Sequence, residues 1–147
     1  MTVQFEFRAM TDAEYARELK AFDEHSSEFG NPPDADERLG FVATDDGQYV
    51  GSSSGLIQKM NNAYGKYFYL SDLLVEKPYR KFGYGAKLLQ LLENKVDSLG
   101  VEYIWTWTAS YEAETFYRKQ GYDVFCRFEN YYLSGHARVG LMKKLVS

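Results

Sequence analysis

The 147-residue sequence has one cysteine, three prolines and two histidines, and nowhere a long apolar run. Each scarcity excludes something. A lone thiol, Cys126, can close no internal disulfide and build no metal cluster by itself, so a reduced, cytoplasmic setting is expected. Every apolar stretch is broken within a few residues by Lys, Glu, Asp or Gly, which leaves no candidate for a membrane-spanning helix. The start "MTVQFEFRAM" has neither the basic region nor the apolar core of a secretory signal. Lys and Arg number 17 against 21 Asp and Glu, and a net charge of −4 speaks against a non-specific polyanion binder, nucleic acid included. No His/Cys/Asp spacing suggests a metal. With no repeat and no low-complexity linker, residues 1–147 read as a single domain.

What is present is a folded composition, 45% hydrophobic and 26% charged, with 13 Tyr and 10 Phe. "VQFEFR" alternates and predicts a first strand with Val3, Phe5 and Phe7 on one face. Thr11 with Glu14 three residues on is a capping box, opening a helix that carries Tyr15, Leu19 and Phe22. Gly30 to Glu37 reads as a surface loop. "LGFVAT", "DDGQ" and "YVGSSSGLIQK" predict a hairpin turning at Asp45 to Gln48, and Asn61, Asn62 and Gly65 mark a second turn. "KYFYLSDLLV" is a long strand. A helix with Leu88, Leu89, Leu91, Leu92 and Val96 as its apolar stripe follows and stops at Gly100. "VEYIWTWTA" is a strand, "EAETFYRKQG" a short helix ended by Gly121, and the rest a hairpin turning at "SGHA". The order β-α-β-β-β-α-β-α-β-β indicates an α/β or α+β sheet with helices packed on its faces.

Between strand and helix lies "YRKFGYGAKLL". Gly83 and Gly85 permit close approach of a ligand, the helix start offers backbone N–H groups and a positive dipole end, and Arg80, Lys81 and Lys87 add charge. This suits a phosphate. A P-loop is absent, and a dinucleotide motif would need glycine where Leu88 stands. A glycine turn before a helix also occurs in proteins that bind nothing, and on spacing alone both readings stand.

"RKFGYG" resembles the R/Q-x-x-G-x-G/A pattern of the GNAT superfamily of acyl-CoA-dependent N-acetyltransferases, and "AETFYRKQGYDV" resembles its A-x-x-F-Y-x-x-x-G-F segment. Element order is similar along nearly the whole chain, and "ENYYLSGHARVGLMKKL" resembles the closing hairpin of many members. These similarities imply the GNAT fold, an α/β (α+β) architecture with a mixed, mostly antiparallel central sheet splayed at the cofactor site and helices on both faces. The resemblance implies acetyl-CoA as cofactor, its diphosphate held by Arg80, Lys81, Phe82, Gly83, Tyr84, Gly85 and Ala86. Its pantetheine arm would run along Leu73, Leu74 and Val75 in a splayed part of the sheet, with Ser110, Ala113, Phe116 and Tyr117 completing the cofactor site. Two positions depart from the pattern: Lys81 stands where many relatives have glycine, and Ser110 where many have asparagine.

Acetyl transfer needs a donor to the developing oxyanion, here expected from the amide of Leu74 or Val75, and an acid for the leaving thiolate. The resemblance gives that role to Tyr117, whose alternative is a packing tyrosine beside Phe116. Alternation places Asp72 in one row with Phe68, Leu70 and Leu74, where burial would raise its pKa and make it a base; the alternative is a structural Asp with a cationic or backbone partner. Glu24, His25, Glu28, Tyr131 and His136 are acceptor-site candidates by family analogy, and the acidic Asp34, Asp36 and Glu37 can attract an amine or simply be solvated. Trp105 and Trp107 share one strand face, as a core strand or as an aromatic wall for a cation. The expected activity is direct acetylation of a primary amine, of a small molecule in preference to a peptide or protein. A non-catalytic acyl-CoA sensor or drug-sequestering module is the alternative. A homodimer through terminal strands is also expected from the resemblance.

Overall fold

The computed structural model describes residues 2–31 and 36–146. The chain divides into two compact units, residues 1–35 and 36–147. In the first, α1 (Asp12–Glu28) is held at its start by the expected capping box: Glu14 N–H donates to Thr11 Oγ1, and Thr11 N–H to Glu14 Oε1. Arg8 grips the same carboxylate through both terminal nitrogens, at 2.8 and 2.9 Å. The strand predicted over Val3, Phe5 and Phe7 does not form, and residues 2–10 hold no strand. Alternation makes a strand only where a neighbouring ladder takes up the backbone donors and acceptors. Of the loop predicted over Gly30 to Glu37, Asp34 lies outside the described residues, while Asp36 and Glu37 already belong to the first strand.

The second unit holds a seven-stranded sheet: β1 (Asp36–Asp45), β2 (Gln48–Met60), β3 (Ala63–Tyr64), β4 (Tyr67–Val75), β5 (Tyr103–Ala109), β6 (Asp123–Phe128) and β7 (Arg138–Lys144). Strand order is β1-β2-β4-β5-β7-β6, with the short β3 on β2. Asp46 and Gly47, both at positive φ, close the β1–β2 hairpin at the predicted place. Asn61 and Asn62 do the same before β3. All pairings are antiparallel except β4 with β5, which are parallel and joined through α2 (Tyr84–Ser98). The final hairpin is shorter than predicted. Its strands stop at Phe128 and resume at Arg138, leaving residues 129–137 as a turn-containing connection.

One sheet face carries α2 and α3 (Glu114–Lys119) over a core of Phe68, Leu70, Leu92, Val96, Ile104, Val139 and Leu141, all essentially inaccessible. The α2 stripe is as predicted, with Leu88, Leu89, Leu92 and Val96 buried and Leu91 half-buried. Each such leucine contributes about 2 kcal/mol of apolar burial. Gly100 ends α2 in the left-handed region, with Val101 N–H donating back to the Val96 carbonyl; Gly121 and Tyr122 end α3 the same way.

The β2–β4 ladder is interrupted opposite Ser54 and Gly55, where Ser71 is the extra residue. At Gly55 a Cβ would strike the Tyr69 carbonyl and the Phe68 ring. Gly55→Ala should therefore destabilise the protein by about 3 kcal/mol, read as a lower urea midpoint at unchanged slope.

Candidate acetyl-CoA site

Pairing between β4 and β5 covers only Tyr67–Tyr103, Phe68–Ile104 and Tyr69–Trp105. Thr106 then turns its hydroxyl to the Leu70 carbonyl at 2.8 Å, a side chain replacing the next backbone bond. Beyond it the strands diverge, and the β4 edge from Leu73 to Val75 is left unpaired on that side. Register decides which amides point into the gap. Glu76 N–H donates to the Val50 carbonyl, so the Ser52–Leu74 pair exchanges hydrogen bonds and the Leu74 amide faces β2. Of the two expected oxyanion donors, only the Val75 amide faces the gap, and Leu73 shares its direction.

At this end of β4, a 3-10 turn (Lys77–Tyr79) and residues 80–83 lead into α2. The first intrahelical bond is Lys87 N–H to the Gly83 carbonyl, so the amides of Tyr84, Gly85 and Ala86 have no helical acceptor. They open on a cavity of about 250 Å³ lined by Val75, Tyr79, Arg80, Lys81, Gly83, Tyr84, Gly85, Ala86 and Phe116. Gly83 is required for its φ of 80°, whereas a Cβ on Gly85 would make only ordinary contact with Phe116 and Val75. Arg80 is partly committed, its Nε donating to the Val75 carbonyl at 2.9 Å. Phe82 is exposed and packs against Tyr84. Tyr79 was missed by sequence reasoning; its hydroxyl donates to Asp45 at 2.8 Å and anchors the turn to the β1–β2 hairpin. The free donors, the cations and the glycine opening fit a diphosphate.

Lys81 is the strained member. Five non-glycine residues have positive φ among those described; four are Asn or Asp, which tolerate it, and the fifth is Lys81 at 71°.

Tyr117, Ala113 and Phe116 lie at α3 and its N-cap, while Ser110 and Glu112 sit in the turn before it; Glu112 had been expected within the helix. Ser110 Oγ accepts the Ala137 amide at 3.1 Å, leaving its own proton and one lone pair free. Tyr117 is buried, and burial pushes its hydroxyl up to about 12, against a lowering by the nearby Thr106 hydroxyl and with a small addition from Glu112. It stays protonated at neutral pH and stands beside the residue that opens the gap.

Asp72 corrects the expectation. The extra residue at Ser71 inverts the alternation, so Leu70 is buried while Asp72 is 59% exposed, on the face away from α2. It is no buried base. It accepts from Arg38 at 3.1 Å and Ser71 at 2.7 Å, the cationic partner of the alternative reading. Trp105 and Trp107 lie half-buried on that same face, Trp105 stacked on Tyr69 at 4.4 Å, while Thr106 and Thr108 point into the core. Glu24, His25 and Glu28 belong to α1, with His25 Nδ1 3.9 Å from Glu28. Tyr131 and His136 sit in the β6–β7 connection, Tyr131 accepting from Arg138 and His136 bonded to Ser134.

The acetyltransferase (GNAT) family profile matches residues 5–122. The chain belongs to this family. It is an acetyltransferase, and its cofactor is acetyl-CoA. No curated protein sequence matches it. Similar solved folds include an acetyltransferase from Bacillus cereus ATCC 14579 (22% identity, 96% of this chain and 98% of that one, TM-score 0.75). A putative acetyltransferase from Agrobacterium tumefaciens is likewise similar (21%, 98% and 99%, 0.73). So is an aminoglycoside 6'-N-acetyltransferase complexed with coenzyme A (22%, 84% and 79%, 0.61).

Two outcomes follow from these local energies. Lys81→Gly, measured by urea unfolding without ligand, should raise stability by about 1 kcal/mol as the strain disappears. Tyr117, like Tyr122 (held high by burial and by the Glu93 carboxylate it donates to), keeps its proton more firmly folded than unfolded. Its share of stability is complete below pH ~10 and lost as pH climbs from there through about 12. Unfolding midpoints should fall between pH 10 and 12, and fall less in Tyr117→Phe.

Proposed function

We propose that the protein acetylates the primary amine of a small molecule by direct transfer within a ternary complex, and that both units form one N-acetyltransferase domain. The observation that carries the reading is the coincidence, at one end of β4, of unpaired helix amides, a parted strand edge and a buried protonated tyrosine. The family match, which crosses from one unit into the other, supports the single domain.

In this reading the cofactor supplies an activated acyl group as a thioester. The amides of Tyr84, Gly85 and Ala86, with Lys81, bind its diphosphate. The edge of Leu73 and Val75 pairs with the pantetheine amides, since an unpaired edge is satisfied only by an added strand or by water. Val75 N–H donates to the carbonyl oxygen as negative charge develops there. Tyr117 gives a proton to the departing sulfur, for which an unionised hydroxyl is required. Overall an ammonium and a thioester become an amide, a thiol and one released proton. A peptide amine satisfies the same chemistry; the small-molecule reading is favoured by the modest size of the hollow on the far side of β4, about 370 Å³.

Calorimetric titration with acetyl-CoA should give micromolar binding, and Gly85→Val, whose branch fills the cavity without backbone strain, should weaken it at least about tenfold. Tyr117→Phe should leave that affinity in place and lower kcat about 100-fold. A folded parent that binds no acetyl-CoA overturns the site, and an unaltered kcat removes Tyr117 as the acid.

A further inference from the structure

We propose that Thr106 is a positioning residue for Tyr117, and that its hydroxyl turns from the Leu70 carbonyl to the tyrosine oxygen as the departing thiolate takes the tyrosine's proton. The inference rests on Tyr117 being the acid of the acetyl-transfer reading above. Thr106 stands on β5 just past the last pair with β4, and its side chain enters the core on the face that carries α3. Thr106 is 3% exposed and Tyr117 5%. The threonine Oγ1 donates to the Leu70 carbonyl at 2.8 Å; its 3.4 Å contact with the Trp107 carbonyl is too long to compete. Its other neighbour is the Tyr117 hydroxyl, close enough for the two to hydrogen-bond. One side chain thus touches both the carbonyl at which the strands part and the acid beside the gap.

The argument is a count of protons. A threonine hydroxyl has one proton and two lone pairs. At rest the proton is committed to Leu70, so toward Tyr117 the threonine can only accept. That leaves the tyrosine protonated, as an acid must be. When the C–S bond breaks, the tyrosine O–H breaks and an S–H forms, and the negative charge passes to the tyrosine oxygen. Of the groups acting on Tyr117, Thr106 is the one that favours this ionised form; burial and the Glu112 carboxylate oppose it. Thr106 keeps its proton and changes only its acceptor. A hydrogen bond to an anion is roughly twice as strong as one to a neutral carbonyl, so the phenolate takes the bond from Leu70. Tyr117 regains a proton from water, to which the acceptor ammonium has given two, and one proton is still released per turnover.

Such a bond is made only as charge develops, and it therefore lowers the barrier without tightening the ground state. A static role would look different. If Thr106 did no more than end the β4–β5 pairing, losing its hydroxyl would disturb the parted edge at Leu73 and Val75 and weaken acetyl-CoA binding. The switch acts through Tyr117 instead, so its effect falls on kcat and vanishes when the tyrosine hydroxyl is absent.

The test compares Thr106→Val, which keeps the shape and loses the hydroxyl, with Thr106→Ser, which restores it. In protein carrying 3-fluorotyrosine, fluorine NMR follows the ionisation of Tyr117, its signal assigned by its loss in Tyr117→Phe. The midpoint should rise by about one pH unit in Thr106→Val, the tenfold expected for one hydrogen bond to a charged group, and return in Thr106→Ser. Thiol release from acetyl-CoA is measured with the fastest of spermidine, D-glucosamine and a mixture of the common L-amino acids. Its kcat should fall about tenfold in Thr106→Val and recover in Thr106→Ser, with KM for acetyl-CoA within about twofold of the parent. In a Tyr117→Phe background, Thr106→Val should change kcat by less than about twofold, because no phenolate forms. The proposal is overturned by a midpoint that does not rise, by the full loss of kcat recurring in the double variant, or by a kcat that survives Thr106→Val while Tyr117→Phe lowers it. If no amine is turned over, the midpoint decides. If Thr106→Val does not fold, Thr106→Cys, a weaker donor, should raise the midpoint by a smaller step, and no rise overturns the proposal. A kcat unaltered by Tyr117→Phe is a different result: it removes the acid first.

Discussion

The brevity of the β4–β5 pairing is the constraint on which the rest of the structure depends. Three residue pairs join the two halves of the sheet before Thr106 intercepts the Leu70 carbonyl and the strands part. Longer pairing would close the edge at Leu73 and Val75. Shorter pairing would leave the halves connected by little besides α2. The parallel join also explains where the helix starts: a right-handed crossover must leave the carboxyl end of β4 and return to β5, so the amides of its first turn necessarily open beside the gap.

Much of this was legible in the sequence, for identifiable reasons. Capping box, hairpin turns and helix stops were read from residues whose local conformational preferences are strong: Thr11 with Glu14, Asp46-Gly47, Asn61-Asn62, Gly100 and Gly121. The α2 stripe followed from periodicity. What escaped was nonlocal. Alternation in "VQFEFR" does not reveal whether a ladder is available. The single extra residue at Ser71 changes the face of Asp72, and only the pairing with β2 discloses it. Arg38 and Asp72, 34 positions apart, meet across a strand, so neither identified the other. The diphosphate turn was visible because its glycines and cations are contiguous, whereas Tyr79, tied to Asp45, gave no signal of its own.

Polar groups inside the core are fastened in pairs. Tyr122 and Lys143 both donate to Glu93 at 2.9 Å, and Lys143 also donates to the Gln120 carbonyl, so α2, β7 and the end of α3 share one knot of charge and hydrogen bonds. Ser53 donates to the Leu88 carbonyl from β2. These contacts set the distance of α2 from the sheet, and with it the depth of the cavity at its start.

The two halves of the sheet are also consecutive in the chain. Residues 36–75 make β1 to β4 by hairpins, and residues 103–144 make β5 to β7 around α3. β1 to β4 pair through tight hairpins, whereas the parallel join spans the whole of α2 and the β5–β7 pairing an equally long stretch of chain, so both await loop closure. The seam where the cofactor edge lies thus rests on three residue pairs, a weak point placed where an inserted ligand strand would mend it.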